Sequence, residues 1–129
     1  MIKKDKLCIL IDDDDDDQLI FSSTVDKHFP GYDLKAFSSF EEARPVLESE
    51  HQDIEAVFID LNMPRLNGKE GLELLRRNPN YERKKLIIYS TSNNPDDVND
   101  CLKVGATAFI TKPSRINALV DELSNYLVA

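Results

Sequence analysis

The sequence predicts an α/β protein, a three-layer sandwich in which a strand and a helix alternate five times around a parallel sheet. Five short apolar runs, at residues 7–11, 32–37, 56–59, 86–89 and 107–110, are separated by longer stretches of helical spacing. Runs that read as buried on both faces and are joined by helices belong to a parallel sheet, and right-handed crossovers then leave few topologies. In the strand order 2-1-3-4-5, the ligand crevice opens beyond the carboxyl ends of strands 1 and 3, where the order reverses. A length of 129 residues fits one domain spanning positions 1–129, with no separate output domain expected.

The helices follow from local signals. The first starts within residues 14–17, buries Ile20, Phe21, Val25 and Phe29, and ends at Pro30-Gly31. Ser39 is placed to cap the second, with Glu42 three residues on as its capping-box partner. Residues 68–78 carry Leu72, Leu74 and Leu75 inward, and Pro79 stops that helix. The fourth opens after Asn94-Pro95, since proline suits a first turn and Asp96-Asp97 complement the helix dipole; Val98, Leu102 and Val104 face inward and Gly105 ends it. Residues 114–128 form the last, with Ile116, Leu119, Val120, Leu123 and Leu127 along one face.

Composition excludes several classes of function. A net charge of −8 and a pI near 4.7 leave no basic stripe for a nucleic-acid backbone. The start, Met-Ile-Lys-Lys-Asp, lacks an apolar signal-peptide core, and no apolar run approaches the ~20 residues that span a bilayer. A cytoplasmic protein with no membrane contact is expected. Cys8 and Cys101, with no Cys-x-x-Cys pattern and no Cys/His cluster, read as reduced packing residues. His28 and His51 are isolated from each other and from the acidic cluster, so neither reads as a ligand or phosphate carrier. Arg83-Lys84-Lys85 reads as a solvated loop.

The first strand runs directly into six aspartates at positions 12–17. Adjacent carboxylates repel by roughly 4 kcal/mol per close pair at an effective dielectric near 20, unless water or a metal screens them. An ordinary acidic loop at a helix N-terminus accounts for part of the run, and the run divides on that basis. Asp12 and Asp13 sit at the strand end and belong to a site, whereas Asp14, Asp15, Asp16 and Asp17 start the helix. An EF-hand is excluded, because the glycine at position 6 and the glutamate at position 12 of such a loop are missing. The third strand ends at Asp60, so three carboxylates converge on the crevice. All-oxygen ligands without His or Cys suit a hard cation, and Mg2+ accepts one or two carboxylates while leaving room for phosphate oxygens. Lys112 follows the fifth strand and Ser90 ends the fourth. Alone they would be an ordinary surface lysine and a loop hydroxyl. Beside the carboxylates, they are a cation that balances charge and a donor for a phosphoryl oxygen. With Mg2+ and Lys112 neutralising the cluster, Asp60 is a carboxylate nucleophile for phosphorus.

Ile11-Asp12-Asp13, then Ile59-Asp60-Leu61-Asn62-Met63-Pro64 with Gly68, then Ser90, then Gly105-Ala106 and Phe109-Ile110-Thr111-Lys112-Pro113 together resemble the receiver domain of two-component response regulators. The resemblance covers essentially the whole chain. It implies a flavodoxin-like fold with Asp60 as phosphoacceptor, Asp12, Asp13 and Asp60 as Mg2+ ligands, and the Asn62 backbone carbonyl as a further ligand. It also implies that Ser90 and Lys112 sense and neutralise the phosphoryl group, and that Ser90 and Phe109 form the switch. Asp14 and Ser92 match positions at the pocket mouth that tune phosphoryl loss, and Lys112-Pro113 matches a cis peptide bond. The implied partners are a histidine kinase or phosphotransfer protein and a downstream protein target, with dimerisation on phosphorylation left open. Such a protein signals and assists its own phosphorylation and dephosphorylation rather than turning over a metabolite. Phe109 stands where many members have tyrosine, which excludes a switch through a phenolic hydrogen bond.

Two other classes fit less well. An aspartate-nucleophile phosphohydrolase needs an acid two residues beyond the nucleophile, and Asn62 occupies that place. A flavin-binding electron carrier needs amides and hydroxyls, not carboxylates, after its first strand.

Overall fold

The computed structural model describes residues 6–63 and 66–128; Pro64 of the quoted motif and the start of the chain lie outside the described residues. Five strands, β1 (Lys6–Ile11), β2 (Tyr32–Phe37), β3 (Ile54–Ile59), β4 (Lys85–Ser90) and β5 (Ala108–Thr111), alternate with five helices. These are α1 (Asp15–His28), α2 (Phe40–Ser49), α3 (Gly68–Arg76), α4 (Pro95–Val104) and α5 (Ile116–Leu123), with one 3-10 turn, Pro79–Tyr81, after α3. The strands form one parallel sheet in the order β2-β1-β3-β4-β5, as the sequence predicts.

Register carries the sheet's order into the position of the site. Ile11 lies opposite both Phe37 and Ile59, so the residues just past the strands arrive level with one another. The ladder continues one step further on both sides of β1: the Asp12 N–H donates to Phe37 O at 2.9 Å, and the Asp60 N–H donates to Ile11 O at 2.8 Å. Across the sheet, the Lys112 N–H donates to Ser90 O at 2.8 Å.

Alternating side chains of the strands feed two cores. Ile9, Ile11, Val57, Ile59 and Ile88 pack with Phe40, Leu47, Leu72 and Cys101 of α2, α3 and α4. Leu10, Phe58 and Tyr89 pack with Phe21, Val25, Leu119 and Leu123 of α1 and α5. The Phe21 ring meets Phe58 and Tyr89 edge-on, with centroids 5.0 and 5.2 Å apart. Cys8 and Cys101 are both free and buried, as expected, and burial pushes the Cys8 thiol up to about 12.

Several local expectations are corrected. Ile20, Leu74, Leu102 and Ile116 are exposed at 44, 38, 45 and 56%. A helix lying on a sheet buries only a strip, and neighbours along a helix diverge by about 100°; Phe21, Leu75 and Cys101 take the inward places beside the first three. Helix α3 stops at Arg76, and α5 at Leu123, after which the chain turns while keeping Leu127 buried. Ser39 caps α2 as predicted, but Glu42 accepts from the N–H of Ser38 rather than of Ser39. No cis peptide bond occurs among the described residues, so the Lys112-Pro113 bond is trans, the form that X-Pro bonds intrinsically favour by about 0.5–1 kcal/mol. Lys85 is not loop but the first residue of β4, with its ammonium on Tyr126 O at 2.6 Å.

Arg76 is the residue the sequence conceals. Its Nε donates to Gly105 O at 2.7 Å, its Nη1 to Tyr81 O at 2.6 Å and Lys84 O at 3.1 Å, and its Nη2 to Thr107 Oγ1 at 3.2 Å. One guanidinium therefore ties the ends of α3 and α4 to the approaches of β4 and β5. Gly105, with φ of 124°, sits in the left-handed region, and a Cβ there would lie 3.0 Å from Arg76 Cγ, a tight contact. Arg76→Ala is expected to cost about 2–4 kcal/mol in urea denaturation because several carbonyls lose their donor at once, whereas exposed Arg77→Ala should change stability by less than about 0.5 kcal/mol.

Candidate functional site

The strand ends bring Asp12, Asp13 and Asp60 together: one ligand oxygen from each lies within 4.8 Å of the others. Asp12 is fully buried and Asp60 is 6% exposed, while Asp13 faces solvent. Each buried carboxylate is oriented by backbone. Asp12 Oδ1 accepts the Asp14 N–H at 3.0 Å, and Asp60 Oδ1 accepts the Asn62 N–H at 3.2 Å. Gln18 Nε2 donates to the Asp12 carbonyl at 2.6 Å and to Ser38 Oγ at 3.3 Å, which ties α1 to the end of β1. Gly68 lets α3 start directly against Asp60, since a Cβ there would lie 2.4 Å from the Asp60 carbonyl oxygen.

Lys112 reaches into this cluster from the end of β5. Its Nζ lies 2.8 Å from Asp12 Oδ2, 2.7 Å from Asp17 Oδ2 and 3.5 Å from Asp60 Oδ2, and 5.4 Å above the Tyr89 ring. The side chain is only 8% exposed, so Lys112 is an interior cation rather than an ordinary surface lysine. Ser90 is fully buried, with its Oγ accepting the Ser92 N–H at 3.3 Å and Asn62 Nδ2 at 3.5 Å. Phe109 is half-buried and packs on the core under α2, α3 and α4. Ser92 Oγ stands 3.4 Å from Asp97 Oδ2, and Asp14 is occupied as the α1 cap, accepting the Asp17 N–H at 3.0 Å. His28 and His51 are absent from the metal-capable group found among the described residues.

Asp17 lies in the first turn of α1, as expected, but also meets Lys112. As a helix-start residue it would face water, but the first turn of α1 aims its carboxylate at Lys112. Nothing local in a run of identical aspartates separates it from Asp15 and Asp16; only the direction of α1 does. Three carboxylates therefore face one ammonium and Asp13 adds a fourth charge to the site, which leaves it more negative than the sum of Asp12, Asp13, Asp60, Lys112 and Mg2+.

Electrostatics follow from that imbalance. Burial pushes Asp12 up to about 6 and outweighs the help of Lys112 and the Asp14 N–H. Burial works against the Lys112 ammonium too, but Asp12, Asp17 and Asp60 together outweigh it and hold its pKa above the ordinary lysine range. Burial, with Asp17 adding to it, pushes Tyr89 up to about 12. Asp12 Oδ2 has no hydrogen-bond partner in spite of its close approach to Lys112, so a buried anionic oxygen is left aimed into the cluster. An orphaned carboxylate oxygen, a second buried carboxylate and a third open to water fit a hard divalent cation that keeps part of its hydration shell.

The profile of the response regulator receiver domain matches residues 8–124. The chain belongs to the response regulator receiver family. A rice (Oryza sativa subsp. japonica) two-component response regulator, ORR13, is 29% identical over 119 residues, covering 92% of this chain and 95% of its own length. A chemotaxis protein CheY homolog of Campylobacter jejuni is 30% identical over 93 residues, covering 64% of this chain and 72% of its own. Among solved structures, the receiver fold is shared with Vibrio cholerae CheY4 at a TM-score of 0.83 and 22% identity, over 95% of this chain and 98% of that one. The Mn(2+)-bound form of response regulator Rcp1 gives 0.82 and 21%, over 96% of each chain. The protein is thus a CheY-like receiver of two-component signalling, a class that works with histidine kinases or phosphotransfer proteins and with downstream targets, and that generally binds Mg2+ at an acidic pocket. No helix among the described residues of this receiver is long and apolar enough to cross a membrane.

A group whose folded pKa lies above its unfolded value adds stability at low pH and loses it as pH climbs through the folded pKa. For Asp12 that window runs from its ordinary 3.8 to about 6. With a chelator present, Asp12→Asn should therefore gain stability relative to wild type between those two pH values and show no such gain below them. Urea denaturation at a series of pH values reads this, and a difference that stays constant across the window contradicts the assignment.

Proposed function

We propose that this receiver accepts a phosphoryl group on Asp60 from a partner's phosphohistidine, in a Mg2+-dependent reaction, and signals through protein contacts. The observation that carries the reading is the meeting of Asp12, Asp13 and Asp60 within 4.8 Å, beside an interior lysine and a buried serine. An Asp60 carboxylate oxygen forms the new bond to phosphorus, the phosphorus–nitrogen bond to histidine breaks, and the imidazole leaves with the electron pair and takes up a proton from water. Asp12, Asp13, Asp60 and the Asn62 carbonyl would hold the cation, which when bound supplies positive charge to the transferring oxygens. Lys112 offers its ammonium to the same oxygens, and Ser90 its hydroxyl. Attack of water on the acyl phosphate at the same site ends the signal, so the protein assists both directions of its own modification. Asn62 offers no carboxylic acid to protonate a leaving alcohol, which argues against phosphatase turnover of small esters.

The switch begins where Ser90 and the phosphoryl group meet. Movement of the serine toward phosphoryl oxygen opens space beside the half-buried Phe109 ring on β5. A phenylalanine turns inward with no hydroxyl to seat, so packing alone selects its position. The face formed by α4, β5 and α5 is the surface through which a downstream protein reads this change.

Intact mass after incubation with Mg2+ and acetyl phosphate tests the reading. Wild type should gain the mass of one phosphoryl group and Asp60→Asn should gain none; equal gain in both removes Asp60 as the acceptor. Asp13→Ala should weaken Mg2+ binding by at least about tenfold, given the loss of one of three carboxylates, and an unchanged affinity would remove Asp13 from the ligand set.

A further inference from the structure

We propose that Asp17 is a positioning residue that holds Lys112 back from the phosphoryl site and so sets how readily that site is occupied. The inference rests on the reading of Asp60 as phosphoacceptor and adds to it a competitor. An ammonium has three N–H donors and no more. In this structure three carboxylate oxygens already stand around it, at 2.7 Å from Asp17, 2.8 Å from Asp12 and 3.5 Å from Asp60. The closest of the three is Asp17 and the most distant is Asp60, so the lysine is drawn toward α1 rather than toward the acceptor. A phosphoryl oxygen arriving on Asp60 finds the ammonium donating to Asp17 and Asp60 and ion-paired with Asp12, and must compete with these partners for it.

Exposure decides which partner yields. The Asp12 side chain is fully buried and that of Asp60 is 8% exposed, so neither can exchange the ammonium for water. The Asp17 side chain is 30% exposed and can be rehydrated when the ammonium turns away. Occupation of the acceptor therefore exchanges an Asp17–Lys112 contact for a phosphoryl–Lys112 contact, and the free protein is favoured by whatever the first contact contributes. The same exchange frees a carboxylate on the first turn of α1, whose N–H is held by Asp14 at 3.0 Å. Surface charge at the start of α1 would then report the state of the pocket.

The test uses the full chain with Mg2+ and beryllofluoride, a non-transferable phosphoryl analogue, and reads apparent affinity by NMR titration. Asp17→Asn should bind the analogue about three- to tenfold more tightly than wild type, the range expected for loss of one partly exposed competing ion pair. Asp16→Asn removes the same formal charge one residue away and should change affinity by less than about twofold. Asp17→Glu should restore wild-type affinity. In a Lys112→Gln background the gain from Asp17→Asn should vanish, because the competition runs through the ammonium. Unchanged or weaker binding in Asp17→Asn overturns the proposal, as does an equal gain in Asp16→Asn or a gain that persists without Lys112. Failure of wild type itself to bind the analogue with Mg2+ overturns instead the reading of Asp60. A thermal melt of each variant identifies loss of folding, in which case Asp17→Glu against wild type carries the comparison and any loss of affinity greater than about twofold there counts against the proposal.

Discussion

The Lys112 ammonium, surrounded by Asp12, Asp17 and Asp60 at the open edge of the sheet, is the interaction on which the remainder of the site depends. Without it, buried carboxylates would meet with no counter-charge in a setting where each desolvated anion is strongly disfavoured. With it, the cluster is still more negative than positive, a balance that suits the hard cation receiver domains generally bind. The ammonium also stands 5.4 Å over the Tyr89 ring. A lysine placed in this way offsets the charge of the carboxylates that surround it.

Packing makes that arrangement rigid enough to be useful. Because β1 is hydrogen-bonded on both sides, the ends of β1, β2 and β3 arrive in register, and the last ladder hydrogen bonds are made by Asp12 and Asp60 themselves. The two cores clamp the sheet from both faces, so the carboxylates cannot separate to relieve their repulsion. Gly68 lets α3 begin against the Asp60 backbone, and Arg76 at the other end of α3 ties it to Gly105 after α4 and to Thr107 before β5. A displacement at Asp60 thus has a short mechanical route to the α4–β5 face that carries Phe109.

Much of this was legible in the residues. Apolar runs with helical spacers specify a parallel sheet, and the strand-end rule then brings Asp12, Asp13 and Asp60 together without any coordinates. The cap at Ser39 is readable because a side-chain acceptor beside a free N–H is a local event. Errors arose where a local signal was asked a non-local question. Ile20, Leu102 and Ile116 have helical spacing, but which strip of a helix meets the sheet depends on how the helix is rolled against it. The Lys112-Pro113 bond keeps the trans form that X-Pro bonds favour, against what the family resemblance implies, and the short α5 shows a helix end decided by small energies.

The sequence by itself determined the fold class, the strand order and the three carboxylates of the candidate metal site, because periodicity and strand-end position are properties of the chain alone. Only the tertiary structure decided the fate of Lys112, Asp17 and Arg76. Each is a long charged side chain or one of several identical neighbours, and each has a partner far along the chain, as in Arg76 with Gly105 and Lys112 with Asp17. Charge of that kind takes its meaning from burial and from what faces it, and neither exists until the sheet and helices have closed around it.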